Sequence, residues 1–277
     1  MQSKRERLFQ AAERMDVLRC RICGGALQAT GASFVCAAGH TQDVNRKGYI
    51  NCLSKPHPTY YDQALFDARR QVFDAGCYAP VVEAITSLLP DGPQCLLDAG
   101  CGEGYYLHAL LSQHPDWTGA GVDISREAIE RATDWPCCAL WAVADLSKLP
   151  FRENSFTAVL DVLTPANYQA FARVLAPGGR LIKVYPGTEY LKELREARGM
   201  ALYADAEVGD YLAAHCHVVG ERHVHTAVPV TPELWRAFVW MTPLNQDLSA
   251  AEKDALAARP ASQVTIDLHV ACGAMRT

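Results

Sequence analysis

Four residues near the amino end have the types and spacing of metal ligands: Cys20 and Cys23, then Cys36 and His40, in the pattern Cys-x2-Cys-x12-Cys-x3-His. Thiolates and imidazole are the donors that zinc takes four at a time in structural sites. Gly24, Gly25 and Gly39 permit the tight turns that bring two knuckles together. A segment of about forty residues cannot bury enough apolar surface to fold alone, so metal binding supplies folding energy directly. Four protein ligands leave no open coordination position, which points to a structural zinc ion rather than a catalytic one. The alternative is a set of unligated cysteines in a small core.

A second constellation lies at Leu97-Asp98-Ala99-Gly100-Cys101-Gly102-Glu103-Gly104-Tyr105-Tyr106, a strand running through a glycine-rich turn into a helix. Glycines let a ligand approach the backbone, and in a doubly wound sheet this turn sits where an adenosine-containing cofactor binds. Nicotinamide enzymes use similar turns, so the acids decide. Asp98, just before Gly100, suits a cofactor with a cationic amino group better than one with a pyrophosphate. Asp123 ends the next strand, where its oxygens can accept both ribose hydroxyls, and Asp145 follows the third strand near the adenine amino group. These residues favour S-adenosylmethionine over a dinucleotide. Asp161 and Thr164-Pro165 fall at the end of a fourth strand, beside the place where an acceptor must lie.

The elements that must position these residues read as an α/β chain. Helices are expected over 62–73, 78–89, 105–113, 125–134 and 166–176, and strands over 95–100, 118–123, 138–144, 156–161 and 180–185. Alternation of this kind argues for a parallel sheet covered on both faces. Ala176-Pro177-Gly178-Gly179 should break a helix and feed the next strand, 214–228 alternates as an antiparallel hairpin, and 264–272 reads as a last strand. His215-x-His217 and His223-x-His225 would then face each other across that hairpin, a geometry that either holds a metal or lines a polar sheet face around Cys216 and Val224. The second is favoured because no carboxylate stands at metal-site spacing.

At 277 residues with 49% hydrophobic and 21% charged composition, the chain can build one sizeable core plus an appendage. The linker-like Leu53–Tyr61 stretch, rich in proline, sets the expected division at 1–60 and 61–277. No apolar run is long enough to span a membrane, the charged start lacks a signal-peptide centre, and eleven cysteines include an adjacent pair, Cys137 and Cys138. Reduced thiols in the cytoplasm are expected. Residues 1–60 carry net charge +5 against −10 for the rest, as expected of a head that meets a polyanion; a solvated charged helix at 3–15 is the plainer reading.

The combination resembles the bacterial 23S rRNA (guanine-N1)-methyltransferase family over nearly the whole chain. The resemblance rests on the Cys3His module followed by Gly48-Tyr49-Ile50-Asn51, on Ala68-Arg69-Arg70 with Phe73-Asp74-Ala75-Gly76-Cys77-Tyr78-Ala79-Pro80, on Asp98 through Tyr106, and on Met241-Thr242-Pro243. It implies a Rossmann-like class I methyltransferase sheet behind a small zinc-binding domain, and methylation of N1 of a guanine in a large-subunit rRNA hairpin near the peptide exit tunnel. It also implies cofactor contacts from Tyr78, Tyr106 and Leu107 in addition to Asp98, Gly100, Gly102, Gly104, Asp123 and Asp145, and a further one at Tyr190, where relatives often have histidine. The expected partners are rRNA and, in a homodimer, a second copy of the chain. Tyr78 and Tyr106 are expected to face the sulfonium charge, and Asp161 is the candidate base for the N1 proton. Arg46-Lys47 and the zinc module would grip the adjoining phosphates. Relatives often carry a basic loop where this chain has the shorter Lys55-Pro56-His57-Pro58-Thr59-Tyr60-Tyr61, which leaves the target nucleotide open. A small-molecule methyltransferase that retains a zinc module, and a non-catalytic zinc-dependent RNA-binding protein, are the competing readings.

Overall fold

The computed structural model describes residues 2–55, 62–203 and 206–276; most of the proline-rich 55–61 segment lies outside them. The chain opens with α1 (Lys4–Met15), started by a reciprocal capping box between Ser3 and Glu6. Leu8, Ala11 and Ala12 bury one face of α1 against the main sheet, so this is not a freely solvated helix. Two of its four cations are held by the body of the chain: Lys4 pairs with Asp134, and Arg7 donates to the carbonyls of Thr133 and Trp135 at 3.0 and 3.1 Å. A three-stranded antiparallel meander follows, β1 (Leu27–Thr30), β2 (Ser33–Cys36) and β3 (Thr41–Asp43). The next strand, β4 (Ile50–Asn51), leaves the meander and joins the main sheet.

That sheet is flanked by α2 (Gln63–Asp74), α3 (Ala79–Leu88), α4 (Tyr105–Gln113), α5 (Arg126–Ala132) and α6 (Tyr168–Val174), which alternate with β5 (Cys95–Ala99), β6 (Thr118–Asp123), β7 (Leu140–Val143), β8 (Phe156–Val162) and β9 (Leu175–Pro186). The chain ends through α7 (Lys192–Ala197), α8 (Ala206–His215), β10 (Cys216–Pro229), α9 (Pro232–Met241), α10 (Ala250–Ala257) and β11 (Gln263–Met275). The eight strands lie in the order β10-β11-β9-β8-β5-β6-β7-β4. All pair in parallel except at β11, which runs antiparallel to both β9 and β10.

Both sheet faces are covered. One apolar layer gathers Val81, Ile85, Leu107, Leu110, Trp141 and Phe238; the other gathers Leu8, Phe34, Phe151, Phe171 and Leu212. Strand order reverses between β5 and β8, because β5 continues outward to β6 while β8 continues to β9. A crevice opens at the carboxyl ends of the strands at this reversal.

The 214–228 segment differs from expectation. It is the end of α8 followed by one fourteen-residue strand, β10, whose partner β11 arrives from the carboxyl end of the chain. Gly220 marks a register shift rather than a turn. Period-two alternation identifies a strand but not its neighbour.

Candidate functional site

Seven of the ten residues expected to meet the cofactor line one cavity of about 750 Å³ at the sheet reversal: Tyr78, Gly100, Gly102, Tyr106, Asp123, Asp145 and Tyr190. Asp98 sits just behind it, in a smaller recess that shares Gly100 and Tyr106 with the main wall. It is the next-to-last residue of β5, at 1% exposure, and receives a hydrogen bond from the backbone N–H of Leu107 in the free first turn of α4. Its Oδ2 is buried with no partner among the described residues. Burial, and then the carboxylate of Asp123, push the Asp98 carboxyl up to about 7. An unpaired buried carboxyl of this kind is a socket for a cation.

Asp123 at the end of β6 is organised differently. Oδ2 accepts from the Gly102 N–H at 2.9 Å and Oδ1 from the Ser125 N–H at 2.8 Å. Each oxygen keeps further acceptor capacity. Asp145 caps the short 3-10 turn Leu146–Lys148, accepting from the Ser147 N–H at 2.8 Å.

The opposite wall is aromatic. Tyr78 and Tyr190 join hydroxyl to hydroxyl at 2.8 Å, and the Tyr106 hydroxyl is buried without a partner among the described residues. Phe73 meets Tyr78 and Tyr106 edge-on at 5.5 and 6.1 Å between centroids. Ring faces gathered beside an empty volume attract a cation.

Two glycine positions explain the turn. Gly100 has φ +75°, and a β-carbon there would stand 2.6 Å from the Thr164 Oγ1, so glycine lets the 162–167 loop close against the turn. Gly104 has φ +76° and packs under Trp141, whose ring carbon would be 2.5 Å from an added β-carbon. Its role is in seating α4 on the sheet, not in lining the cavity. Gly104→Ala is therefore expected to destabilise the fold by about 2–4 kcal/mol, combining left-handed backbone strain with overpacking; thermal unfolding of the purified variant checks this.

Leu107 likewise stays off the wall. Its side chain is fully buried under Gly119, and its contribution is the backbone N–H that orients Asp98. Asp161, the candidate base, stands one layer behind the cleft at 0% exposure and is not part of the cavity lining. Lys183 Nζ donates to Asp161 Oδ2 at 2.9 Å and to the Thr164 carbonyl at 2.6 Å. Burial lifts the Asp161 carboxyl to about 6 against the opposing pull of Lys183. The pair braces the 162–167 wall, where Leu163 takes φ +55° with 40% of its surface exposed.

Sequence reasoning assigned no cofactor role to Arg69, Phe73, Arg195 or Tyr203, all of which line the cavity. Arg69 and Phe73 lie inside stretches that carry the family resemblance. Arg195 lies on α7, which carries no signal of its own, and Tyr203 follows it. Among the described residues neither histidine pair joins a converging set of metal donors; instead His223 Nε2 meets Asp267 Oδ1 at 2.6 Å and His225 Nε2 meets Glu189 Oε2 at 2.7 Å. Both carboxylates come from distant chain, so spacing along the sequence cannot reveal them.

In the amino-terminal meander, Cys20, Cys23, Cys36 and His40 converge so that their four donor atoms lie within 4.8 Å of one another. Cys23 Sγ is 3.6 Å from Cys36 Sγ, and His40 Nδ1 is 3.6 and 3.5 Å from the sulfurs of Cys20 and Cys36. These are close to the edges of a tetrahedron with metal–ligand arms of about 2.0–2.3 Å. No other set of three or more such donors converges among the described residues. The chemistry and spacing fit one zinc ion held through His40 Nδ1.

Comparison with known proteins assigns family models to the two segments that carry these residues. Residues 18–56 match the zinc-ribbon family model described as "RlmA, N-terminal", and residues 96–179 match the one described as "Methyltransferase domain". The 23S rRNA (guanine(748)-N(1))-methyltransferase of Streptomyces fradiae is 33% identical over 236 residues, spanning 82% of this chain and 84% of that protein. YxjB of Bacillus subtilis, provisionally named for 23S rRNA (guanine-N(1)-) methylation, is 34% identical over 282 residues, covering 93% of this chain and 97% of its own length. A provisionally named methyltransferase from an antibiotic biosynthesis pathway of Anabaena variabilis superposes with a TM-score of 0.50 at 16% identity, covering 71% of this chain and 97% of that one, and so shares the fold. A carboxyl socket, a glycine turn, strand-end acids and a four-ligand zinc ribbon therefore occur together on a chain that belongs to the 23S rRNA (guanine-N1)-methyltransferase family, S-adenosylmethionine-dependent enzymes with a structural zinc.

Proposed function

We propose that this chain methylates N1 of a guanine in a large-subunit rRNA hairpin, using the cavity at the sheet reversal for the donor and the base together. The observation that carries the reading is the unpartnered buried Oδ2 of Asp98 beside an aromatic wall, in a cleft of about 750 Å³ that has room for more than a cofactor. The names of the rRNA-methylating relatives support the choice of RNA.

When bound, S-adenosylmethionine supplies a methyl group already activated on a sulfonium. In this reading Asp98 holds the donor's amino group, Asp123 its ribose hydroxyls and Asp145 its adenine edge. Tyr78, Tyr106 and Tyr190 screen the sulfonium side from water and offer ring faces to its charge. The wall formed by 162–167 and by Met241-Thr242-Pro243-Leu244 would hold the guanine in a fixed orientation beside the donor site, and positioning of this kind supplies much of the acceleration. A paired guanine cannot present N1, so the target stands in a loop or is turned out of its helix. Asp161 acts as a positioning residue, through Lys183 and the Thr164 carbonyl, and the N1 proton leaves toward the solvent-facing side of the cleft. The 1–60 segment forms the RNA-binding head and 61–277 the catalytic body, and ribosomal substrate places the enzyme in the cytoplasm. Among the described residues no helix is long and apolar enough to cross a membrane.

Labelled donor mixed with unmethylated 23S rRNA tests this. The expected result is label in one hairpin and a primer-extension stop at one guanine, because an N1 methyl group blocks Watson–Crick pairing. Label appearing only in small metabolites, or at a position that leaves primer extension unhindered, overturns the proposal.

A further inference from the structure

A second cavity, of about 700 Å³, lies between the first zinc knuckle and the turn after β7. Its lining carries five cations, Arg19, Arg21, Lys55, Lys148 and Arg173, against one acid, Asp145. Asp145 and Ser147 line this groove and the main cleft alike, so the two volumes adjoin at residues 145–147.

The cations of the groove outnumber its acids. Among the described residues none of the five takes part in an ion pair. Two are fixed by neutral groups instead. Arg173 donates to the carbonyls of Phe151 and Leu149 at 2.7 and 2.9 Å, and Arg21 donates to the Cys52 carbonyl. Burial and the neighbouring Arg19 both hold the Arg173 guanidinium below its ordinary range. Like charges held together in a recess are unfavourable until an anion bridges them. By contrast, two other cations of the basic head are already neutralised: Lys4 by Asp134 and Lys47 by Glu130, the latter at 2.5 Å. The expectation that Arg46-Lys47 grips phosphate therefore moves to this groove, at least for Lys47.

We propose that this groove is a phosphate track: the RNA backbone beside the target nucleotide runs along Arg19, Arg21, Lys55, Lys148 and Arg173 and passes over residues 145–147 into the cleft. Guanidinium groups preset by backbone carbonyls suit phosphate oxygens, and a single strand is what the open cleft requires. The track deepens the RNA reading of the preceding subsection and rests on it.

The test uses the full-length, zinc-loaded chain and an unmethylated 23S rRNA hairpin fragment, with binding measured across a salt series. Lys55 and Lys148 are exposed and form no ion pair within the described fold, so Lys55→Ala/Lys148→Ala preserves folding. Every phosphate that is no longer neutralised lowers the log–log salt slope by about 0.7–0.9. The double variant is expected to lose roughly 1.4–1.8 from the slope and at least about tenfold in affinity at low salt, with donor affinity unchanged. Arg222→Ala/Lys253→Ala, the same charge change on the far edge strand β10 and on α10, at residues that line neither cavity, is expected to keep the wild-type slope. RNA held by the Lys55/Lys148 variant with the wild-type slope, or an equal loss in the far-edge control, overturns the track while leaving the RNA reading intact. Failure of the wild-type chain to retain the hairpin overturns both.

Discussion

Asp98→Ala is expected to abolish methyl transfer while zinc content stays at one ion per chain. The carboxylate stands next to last in β5, its Oδ2 has no partner among the described residues, and the Leu107 N–H orients it. Removing one side of a buried charge pair costs about 3–5 kcal/mol, so donor affinity should fall by roughly 10²–10⁴-fold. Calorimetric titration of the donor reads this directly, and metal analysis shows whether the zinc ribbon survived. The pH dependence follows from the raised carboxyl. The cationic donor needs Asp98 ionised, so wild-type affinity rises as pH passes upward through about 7 and falls by up to about tenfold per pH unit below it.

The stability of the donor-free protein moves the other way. A carboxyl whose folded value is raised favours folding while protonated, and that contribution is lost as pH rises through about 7. Asp98→Asn removes the charge but keeps the shape. Its donor-free form should therefore be more stable than wild type above pH 7, by up to about 2–4 kcal/mol, with the margin shrinking toward pH 4. A variant that is more stable yet cannot bind the donor would mark Asp98 as a group retained for function. Equal melting temperatures at pH 8 would show that the Asp98 charge carries no such cost.

Zinc removal is the second large effect. Cys36→Ser, or chelation of the wild-type chain, is expected to lower RNA methylation at least about 100-fold while weakening donor binding by less than about tenfold. The ribbon's interior is small, with Leu18, Leu27, Phe34 and Val44 beside the two buried ligands Cys20 and Cys36, so the metal carries much of its folding energy. The donor socket stands apart, on β5 and α4, separated from the β4–β7 pairing by β6. Some loss of donor affinity is expected through Asp145, which follows β7. Parallel assays of metal content, label transfer and donor titration separate these effects. Full RNA methylation by a zinc-free chain would contradict the assignment of RNA binding to the head.

What was legible in the sequence is what local chemistry fixes. Glycines at 100, 102 and 104 adopt positive φ because a strand must turn sharply into α4. Asp98, Asp123 and Asp145 fall at strand ends because the alternation of elements places them there. The zinc ligands carry their own spacing rule. Long-range pairing was not legible: β10 has strand periodicity, but its neighbour β11 enters more than thirty residues later, and His223 and His225 meet carboxylates from β11 and the β9–α7 connection. Leu107 shows a subtler limit, since its backbone acts on Asp98 while its side chain belongs to the core. The basic groove was hidden for the same reason, because Arg19 and Arg173 come together only after the amino-terminal segment bonds to residues 150–152, with the Arg19 N–H donating to the Pro150 carbonyl at 2.9 Å.

The most direct test of the donor cleft is titration of S-adenosylmethionine into the purified wild-type chain. Saturable binding of one donor per chain is expected, displaced by the demethylated product and lost in Asp98→Ala. Absence of binding, or binding that Asp98→Ala leaves unchanged, would contradict the assignment of this cleft to the methyl donor.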